Sequence, residues 1–209
     1  MTRLWHAAIS LVAAVALVTQ LVLVIDKDAS VTNFFSYFTI QSNILVMIAA
    51  ALIAVRPDRG GTAFRILRMA GLVGITITGI IFSTVLAGTV EFEGIAWWTD
   101  KAFHYLVPAM AVTGFIFMKP RTRLDRSSVW FLAWALAWLA YTLIRAEVSE
   151  PRFAVTNDRF ATVPYDFLDS DQHGTTAVAV ACAGVLVLAL AISAFYIWLS
   201  QRDAETATV

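Results

Sequence analysis

Residues 34–55 read FFSYFTIQSNILVMIAAALIAV. No Asp, Glu, Lys or Arg interrupts them, and Arg56 closes the run. At a rise of 1.5 Å per residue, about 20 such residues cross the ~30 Å hydrocarbon layer of a bilayer. The run is continuously apolar rather than alternating, so it reads as a spanning helix and not as a barrel strand. Five further segments have the same character: Leu4–Ile25, Ile66–Thr89, Trp97–Met118, Val129–Ala146 and Thr175–Leu199. The chain therefore predicts an all-α polytopic membrane protein, a single integral membrane domain over residues 1–209 built as a bundle of six transmembrane helices.

The composition points the same way. Of 209 residues, 59% are hydrophobic and only 14% charged, with a mean hydropathy of +0.74. A soluble domain carries about 25% charged residues. The 15 Lys and Arg balance the 15 Asp and Glu, so no basic excess exists to bind nucleic acid; membrane lipids are the expected surroundings. Leu4–Ile25 exceeds the 7–15 residues of a signal-peptide core and reads as a retained helix. Cys182, the single cysteine, lies inside the last span; it permits no intramolecular disulfide and reads as a small apolar residue. The Ala-, Val- and Arg-rich composition fits a bacterial plasma membrane.

Orientation follows from the basic residues. Six spans put both termini on one side, together with Arg3, Arg56, Arg59, Arg65, Arg68, Lys119, Arg121, Arg123, Arg126 and Arg202. The other side holds Lys27, Lys101, Arg145, Arg152 and Arg159, so ten of the fifteen lie with the termini. Both termini are expected to be cytoplasmic, and the outer face acidic. The outer connection over residues 147–174 is long, with Pro151, Pro164, Phe153, Phe160, Tyr165 and Phe167. Part of it is expected to fold over the outer mouth of the bundle. Small residues in the third span (Gly71, Gly74, Gly79) and the sixth (Ala177, Ala181, Gly184) read as sites of close helix packing. The tail after Leu199 is expected to fray.

Polar side chains are expensive inside hydrocarbon, so each is a site candidate. In the second span Thr39, Ser42 and Asn43 are spaced i, i+3 and i+4 and share a helix face. In the fourth, Asp100 and His104 are i and i+4. Both helices enter from the outer side, which puts Thr39 and His104 at a matched depth, roughly 7–9 Å below the interface. A hydroxyl and an imidazole meeting there form a nucleophile and its base, with Asp100 holding the second imidazole nitrogen. Tyr141 and Arg145 end the fifth span near the same level, and Pro108 is expected to kink the fourth helix. Each residue also has a structural reading: Thr39 bonded to its own helix backbone, the Thr39/Ser42/Asn43 cluster as glue between helices, and Arg145 snorkelling to the interface.

Three stretches resemble a known family, the androgen-induced gene one and androgen-dependent tissue-factor-pathway-inhibitor-regulating proteins with their bacterial six-helix relatives. Phe38-Thr39 is similar to the stretch that holds the family's threonine nucleophile. Asp100-Lys101-Ala102-Phe103-His104, followed by Pro108, resembles its Asn-His-x-x-His…Pro. Tyr165-Asp166-Phe167-Leu168-Asp169 looks like its Tyr-Pro-Phe-Leu-Glu before the last helix. The resemblance implies an intramembrane threonine hydrolase of fatty acid esters of hydroxy fatty acids, with Thr39 as nucleophile and His104 as general base. The chain departs from the family at Asp100-Lys101 and at Asp166.

Two classes of function follow. In the first, Thr39 attacks a lipid ester, His104 takes its proton, Asn43, Ser42 or Tyr141 donates to the oxyanion, and Arg145 holds a substrate carboxylate. In the second, the same pocket binds a lipid or small molecule without cutting it. Neither needs a cofactor. The spacing of His and acidic residues gives no metal site, and Lys27, Lys101 and Lys119 lie at helix ends, where none can carry a retinal Schiff base.

Overall fold

The structure, a computed structural model, describes residues 1–206 and is mostly helical. Helix α1 spans Thr2–Asp26, α2 Val31–Ser36, α3 Phe38–Val55 and α4 Thr62–Ile81, which runs into a π-helical turn over Phe82–Leu86. Helix α5 (Gly94–Lys101) passes through a second π turn (Ala102–Leu106) into α6 (Val107–Phe117). A 3-10 turn over Arg126–Phe131, opened by an Asp125/Ser128 capping box, leads into α7 (Leu132–Ser149). The connection that follows holds a hairpin of β1 (Phe153–Ala154) and β2 (Phe160–Ala161), a 3-10 turn at Asp166–Leu168 and the short α8 (Ser170–His173). Helix α9 covers Thr175–Thr206.

Among the described residues, five helices are long and apolar enough to cross a membrane: Thr2–Asp26, Phe38–Val55, Thr62–Leu86, Arg126–Ser149 and Thr175–Arg202. The chain is thus an all-α membrane protein. The segment expected at 97–118 is helical over 94–117, but Asp100, Lys101 and His104 make it less apolar, and a π turn interrupts it. The span expected from Phe34 is broken instead at Tyr37, whose ψ of 130° is extended. The last helix does not end at Leu199 but reaches Thr206; the rest of the tail expected to fray, residues 207–209, lies outside the described residues.

The packing is that of a protein in lipid. Polar Ser42 and Asn43 are fully buried, while Leu11, Val15, Val18 and Val22 on one face of α1 are exposed. Such a face is costly in water and neutral against acyl chains. The start of α1, the connection after α6 and the end of α9 gather at one end of the bundle. There the Thr2 hydroxyl donates to the Lys119 carbonyl, Arg121 to the Leu199 carbonyl at 2.9 Å, and the Leu124 N–H to Ser200 Oγ at 3.0 Å.

At the opposite end the long connection closes over the bundle. Phe153 is buried, Tyr165 lies parallel to Phe167 at 5.7 Å, and Tyr37 meets Phe153 edge-on at 5.3 Å. Phe160 is an exception and faces outward. Arg159 clamps the base of the connection, pairing with Asp166 and with Asp169 Oδ2 at 2.6 Å. Burial by itself would raise the Asp169 carboxyl, but Arg159 and the N–H groups of Gln172 and Asp171 outweigh it and hold its pKa below the ordinary value.

Close helix approach holds for the α4 glycines and not for Gly184 of α9. A Cβ on Gly71 would lie 3.3 Å from the Leu45 backbone, and one on Gly79 3.2 Å from Pro108 Cβ and 3.4 Å from the His104 carbonyl. Gly184 has nothing within 4 Å. Overpacking a filled contact costs about 1–3 kcal/mol. Gly79→Val is therefore expected to lower the midpoint of thermal unfolding in detergent by several degrees, and Gly184→Val to leave it unchanged within about a degree. Equal midpoints for the two variants would contradict the packing described.

Candidate active site

The site begins with a gap in a helix. In an unbroken helix the Thr39 N–H would bond the Phe35 carbonyl and the Ile40 N–H the Ser36 carbonyl. The extended Tyr37 prevents this. The two carbonyls are taken instead by side chains, Phe35 by Gln41 Nε2 at 3.0 Å and Ser36 by Trp138 Nε1 at 2.9 Å. Thr39 consequently stands in the first turn of α3 with its N–H released, and that N–H donates to the Tyr165 hydroxyl at 3.1 Å.

His104 sits in the π turn between α5 and α6. Pro108, four residues on, has no N–H for the His104 carbonyl and its ring crowds that carbonyl, which widens the turn rather than simply kinking the helix. Gly79 lets α4 close over the same spot. Phe82, from the π turn that ends α4, stacks on the imidazole at 3.8 Å and 10°. Two irregular turns thus face each other across the ring.

The structure brings Thr39, His104 and Asp100 together. Thr39 Oγ1 lies 3.4 Å from His104 Nε2. His104 Nδ1 faces two acceptors, the Asp100 carbonyl at 2.9 Å and Asp100 Oδ1 at 3.0 Å. A nitrogen between two acceptors carries the hydrogen, so Nε2 keeps its lone pair for the Thr39 hydroxyl. The other Asp100 oxygen pairs with Lys101 Nζ at 3.0 Å, and that ammonium also lies 5.3 Å from the Phe82 ring centre and 5.6 Å from that of Trp97. Thr39 Oγ1 has a third neighbour, the Tyr165 hydroxyl at 3.3 Å. The hydroxyl of Thr39 is thus engaged with other elements rather than bonded back to its own helix.

The remaining expected residues are placed differently. Ser42 donates to the Thr39 carbonyl and meets Thr78 Oγ1, both at 3.0 Å. Asn43 Nδ2 donates to the Thr39 carbonyl at 2.8 Å and to the Phe103 carbonyl at 3.4 Å. These two act as glue, tying the first turn of α3 to α4 and to the π turn. Tyr141 bonds Ser36 Oγ at 2.9 Å. None of the three lines the cavities beside Thr39, so the oxyanion role expected of them has no geometric basis. Arg145 neither snorkels nor faces a cavity: it donates to Asn33 Oδ1 at 2.6 Å and Ser36 Oγ at 3.0 Å. Among the described residues no group of three His, Cys, Asp or Glu side chains could hold a metal ion.

Two cavities meet at the dyad. One, of about 130 Å³, runs between α4, α7 and α9 past Ile77, Leu136, Leu186 and Ala189, and is almost wholly apolar. Leu136 and Leu186 are also exposed on the lipid-facing surface. The second, of about 370 Å³, lies under the outer connection and is lined by Gln20, Asn33, Asp100, Arg152 and Asp166 among others. Thr39, His104, Tyr165 and Leu86 belong to both. Sequence reasoning gave no role to Tyr165, Phe82 or Arg152. The signals for Tyr165 were its place at the head of the stretch that resembles the family's Tyr-Pro-Phe-Leu-Glu and in a short aromatic run after Pro164; none existed for Phe82.

Comparison with family models, curated proteins and solved structures finds no match to this chain, so the reading of the site rests on its own residues. Arg145 is placed as a clamp between α7 and the α2 segment. Arg145→Met is expected to cost about 1–3 kcal/mol of stability, the value of hydrogen bonds from a charged donor. The KM for a carboxylate-bearing ester is expected to stay within about twofold of wild type. A selective rise in KM for such substrates, at unchanged stability, would restore the carboxylate-binding role.

Proposed function

We propose that this protein is an intramembrane threonine hydrolase of lipid esters, with Thr39 as nucleophile and His104 as general base. The observation that carries the reading is the Thr39 Oγ1 to His104 Nε2 contact at 3.4 Å, with Nδ1 anchored on Asp100, at the junction of two cavities. Nucleophile, base and orienting group are the three parts that covalent ester hydrolysis needs. The resemblance of the three sequence stretches to the androgen-induced gene one family favours the same chemistry.

In this reading the steps are those of an acyl transfer to a hydroxyl. His104 Nε2 takes the Thr39 proton as Oγ1 bonds to the ester carbonyl carbon. The imidazolium formed is held by Asp100 and returns the proton to the departing alkoxide, so the ester C–O bond breaks and an acyl-Thr39 remains. Water, deprotonated by the same nitrogen, releases the acid and restores Thr39. The apolar cavity suits an acyl chain, and the exposed Leu136 and Leu186 mark a sideways path from lipid. The outward cavity suits the second, more polar half of an ester with two branches, as in a fatty acid ester of a hydroxy fatty acid. Arg152, rather than Arg145, is the cation beside it. Helix α5, its π turn and α6 serve in this reading as a sixth span, with both termini cytoplasmic and the outer connection on the far side of a bacterial plasma membrane.

The test is turnover of a fatty acid ester of a hydroxy fatty acid by the detergent-purified protein. Thr39→Ala and His104→Ala are each expected to lower kcat by at least about 10³-fold, with folding intact, and a fluorophosphonate probe is expected to label Thr39. Full turnover in Thr39→Ala would overturn the assignment. Binding of the ester with neither turnover nor labelling would establish instead a lipid-binding protein that does not cut.

The cavity assignment has its own test. Ala189 is buried and lines the apolar cavity. Ala189→Phe is expected to reduce kcat/KM for long-chain esters by roughly 10-fold or more, while short-chain esters keep wild-type values. An equal loss for both chain lengths would place the acyl chain elsewhere.

A further inference from the structure

The hydrogen bonds around Thr39 run in one consistent direction. The Thr39 N–H donates to the Tyr165 oxygen at 3.1 Å, so the Tyr165 hydrogen is left for an acceptor. The nearest is Thr39 Oγ1 at 3.3 Å, whose own hydrogen points to His104 Nε2 at 3.4 Å. Tyr165 thus sits against both the nucleophilic oxygen and the Thr39 N–H, one of those that the break at Tyr37 has released. In an acyl transfer the nucleophile residue's own N–H is close enough to the attacked carbonyl to donate to its oxygen. The phenol oxygen occupies that place in the free enzyme.

Accepting the hydrolase reading above, on which this rests, we infer that Tyr165 is a catalytic residue: its hydroxyl and the Thr39 N–H together form the oxyanion hole. The ester carbonyl enters between them. It exchanges the single bond from N–H to phenol for two bonds to one oxygen, from the Thr39 N–H and from the Tyr165 O–H. The charge that builds on this oxygen strengthens both, which is the condition for a donor to raise kcat rather than tighten ground-state binding. No proton leaves Tyr165 and no bond to it forms, so the covalent steps are unchanged. Burial raises the phenol above its ordinary pKa, which keeps the hydrogen in place at neutral pH.

Three features favour a catalytic role over a packing one. The hydroxyl reaches Thr39, whereas the ring does the packing: it meets Tyr37, Trp138 and Phe167 with centroids 5.7–6.1 Å away. Tyr165 lines both cavities at their junction, where the scissile group must lie. And the residues first considered for the oxyanion, Ser42, Asn43 and Tyr141, donate or bond elsewhere.

The experiment compares wild type with Tyr165→Phe, which keeps the ring contacts and removes the hydroxyl, both as donor to the oxyanion and as acceptor of the resting Thr39 N–H. Expected are a fall in kcat of roughly 10²–10³-fold, a KM within about twofold and an unfolding midpoint lowered by a few degrees, because the resting Thr39 N–H loses its acceptor. The rate of Thr39 phosphonylation by the fluorophosphonate probe is expected to fall with kcat. A kcat equal to wild type, or a loss confined to KM, would overturn the assignment. A second measurement reads the Tyr165 hydroxyl directly in protein that keeps it. In wild-type protein carrying 3-fluorotyrosine in place of tyrosine, the more acidic phenol is expected to move the alkaline limb of the kcat–pH profile to lower pH. In the same substitution on the Tyr165→Phe background the limb stays in place. An alkaline limb that moves equally in both would also overturn it. Wild-type protein that neither turns over ester nor labels at Thr39 would instead remove the hydrolase reading itself, a result distinct from all of these.

Discussion

Everything in this bundle depends on how backbone hydrogen-bonding groups are covered where a helix departs from its ladder. In hydrocarbon an uncovered N–H or C=O costs several kcal/mol, so departures survive only where other groups replace the lost bonds. Three departures are found here, at Tyr37, at Phe82–Leu86 and at Ala102–Leu106, and all three surround one point. Gln41 and Trp138 cover the Phe35 and Ser36 carbonyls, Asn43 covers those of Thr39 and Phe103, and Ser42 shares that of Thr39. The polar residues of the second span are thus divided. Ser42 and Asn43 are spent on holding the irregular backbone, and Thr39 alone is left to face the cavities.

The same economy governs charge. Asp100 is only 8% exposed, and an isolated carboxylate at that depth would be prohibitive. Lys101 balances it on one oxygen while its ammonium also lies near the rings of Phe82, Trp97 and Tyr105. His104 takes the other oxygen through Nδ1. With the imidazole neutral, the cluster carries no net charge. When the imidazole gains a proton its partner is already in place, so no dipole or side chain has to reorganise. That is the condition under which electrostatic stabilisation in a dry site is most effective. Phe82 contributes by excluding water from one face of the ring.

Much of this was legible in the sequence, because hydrophobic runs and positions along a helix obey simple geometry. Helical rise and the point of entry gave Thr39 and His104 a common depth, and the i, i+4 spacing paired Asp100 with His104. What could not be read were features set by tertiary bonds. Residues 34–55 look like one helix because Tyr37 and its neighbours are ordinary helix residues; the break exists because Trp138, a hundred residues away, captures the Ser36 carbonyl. Pro108 announced a disturbance, but whether that is a kink or a π turn depends on Gly79 and Phe82 across the interface. Arg145 was assigned to substrate from its level alone, and only the fold shows Asn33 and Ser36 waiting for it.

The outer connection is where these constraints converge. A helix can place a nucleophile and its base, but it consumes its own N–H groups in doing so, and a bundle of regular helices has none to offer an oxyanion. The Thr39 N–H is among those released at Tyr37, and it is the connection after α7 that covers it, through Tyr165. In the proposed reading, covering and catalysis use the same contact. Without substrate the phenol satisfies the exposed N–H, as the bilayer requires; with substrate the carbonyl oxygen satisfies both. The Arg159 clamp on Asp166 and Asp169 holds the connection beside Tyr165 so that this exchange needs only a small shift of one ring. A segment that reads from its Pro and acidic residues as a surface loop is thereby as much a part of the site as the helices beneath it.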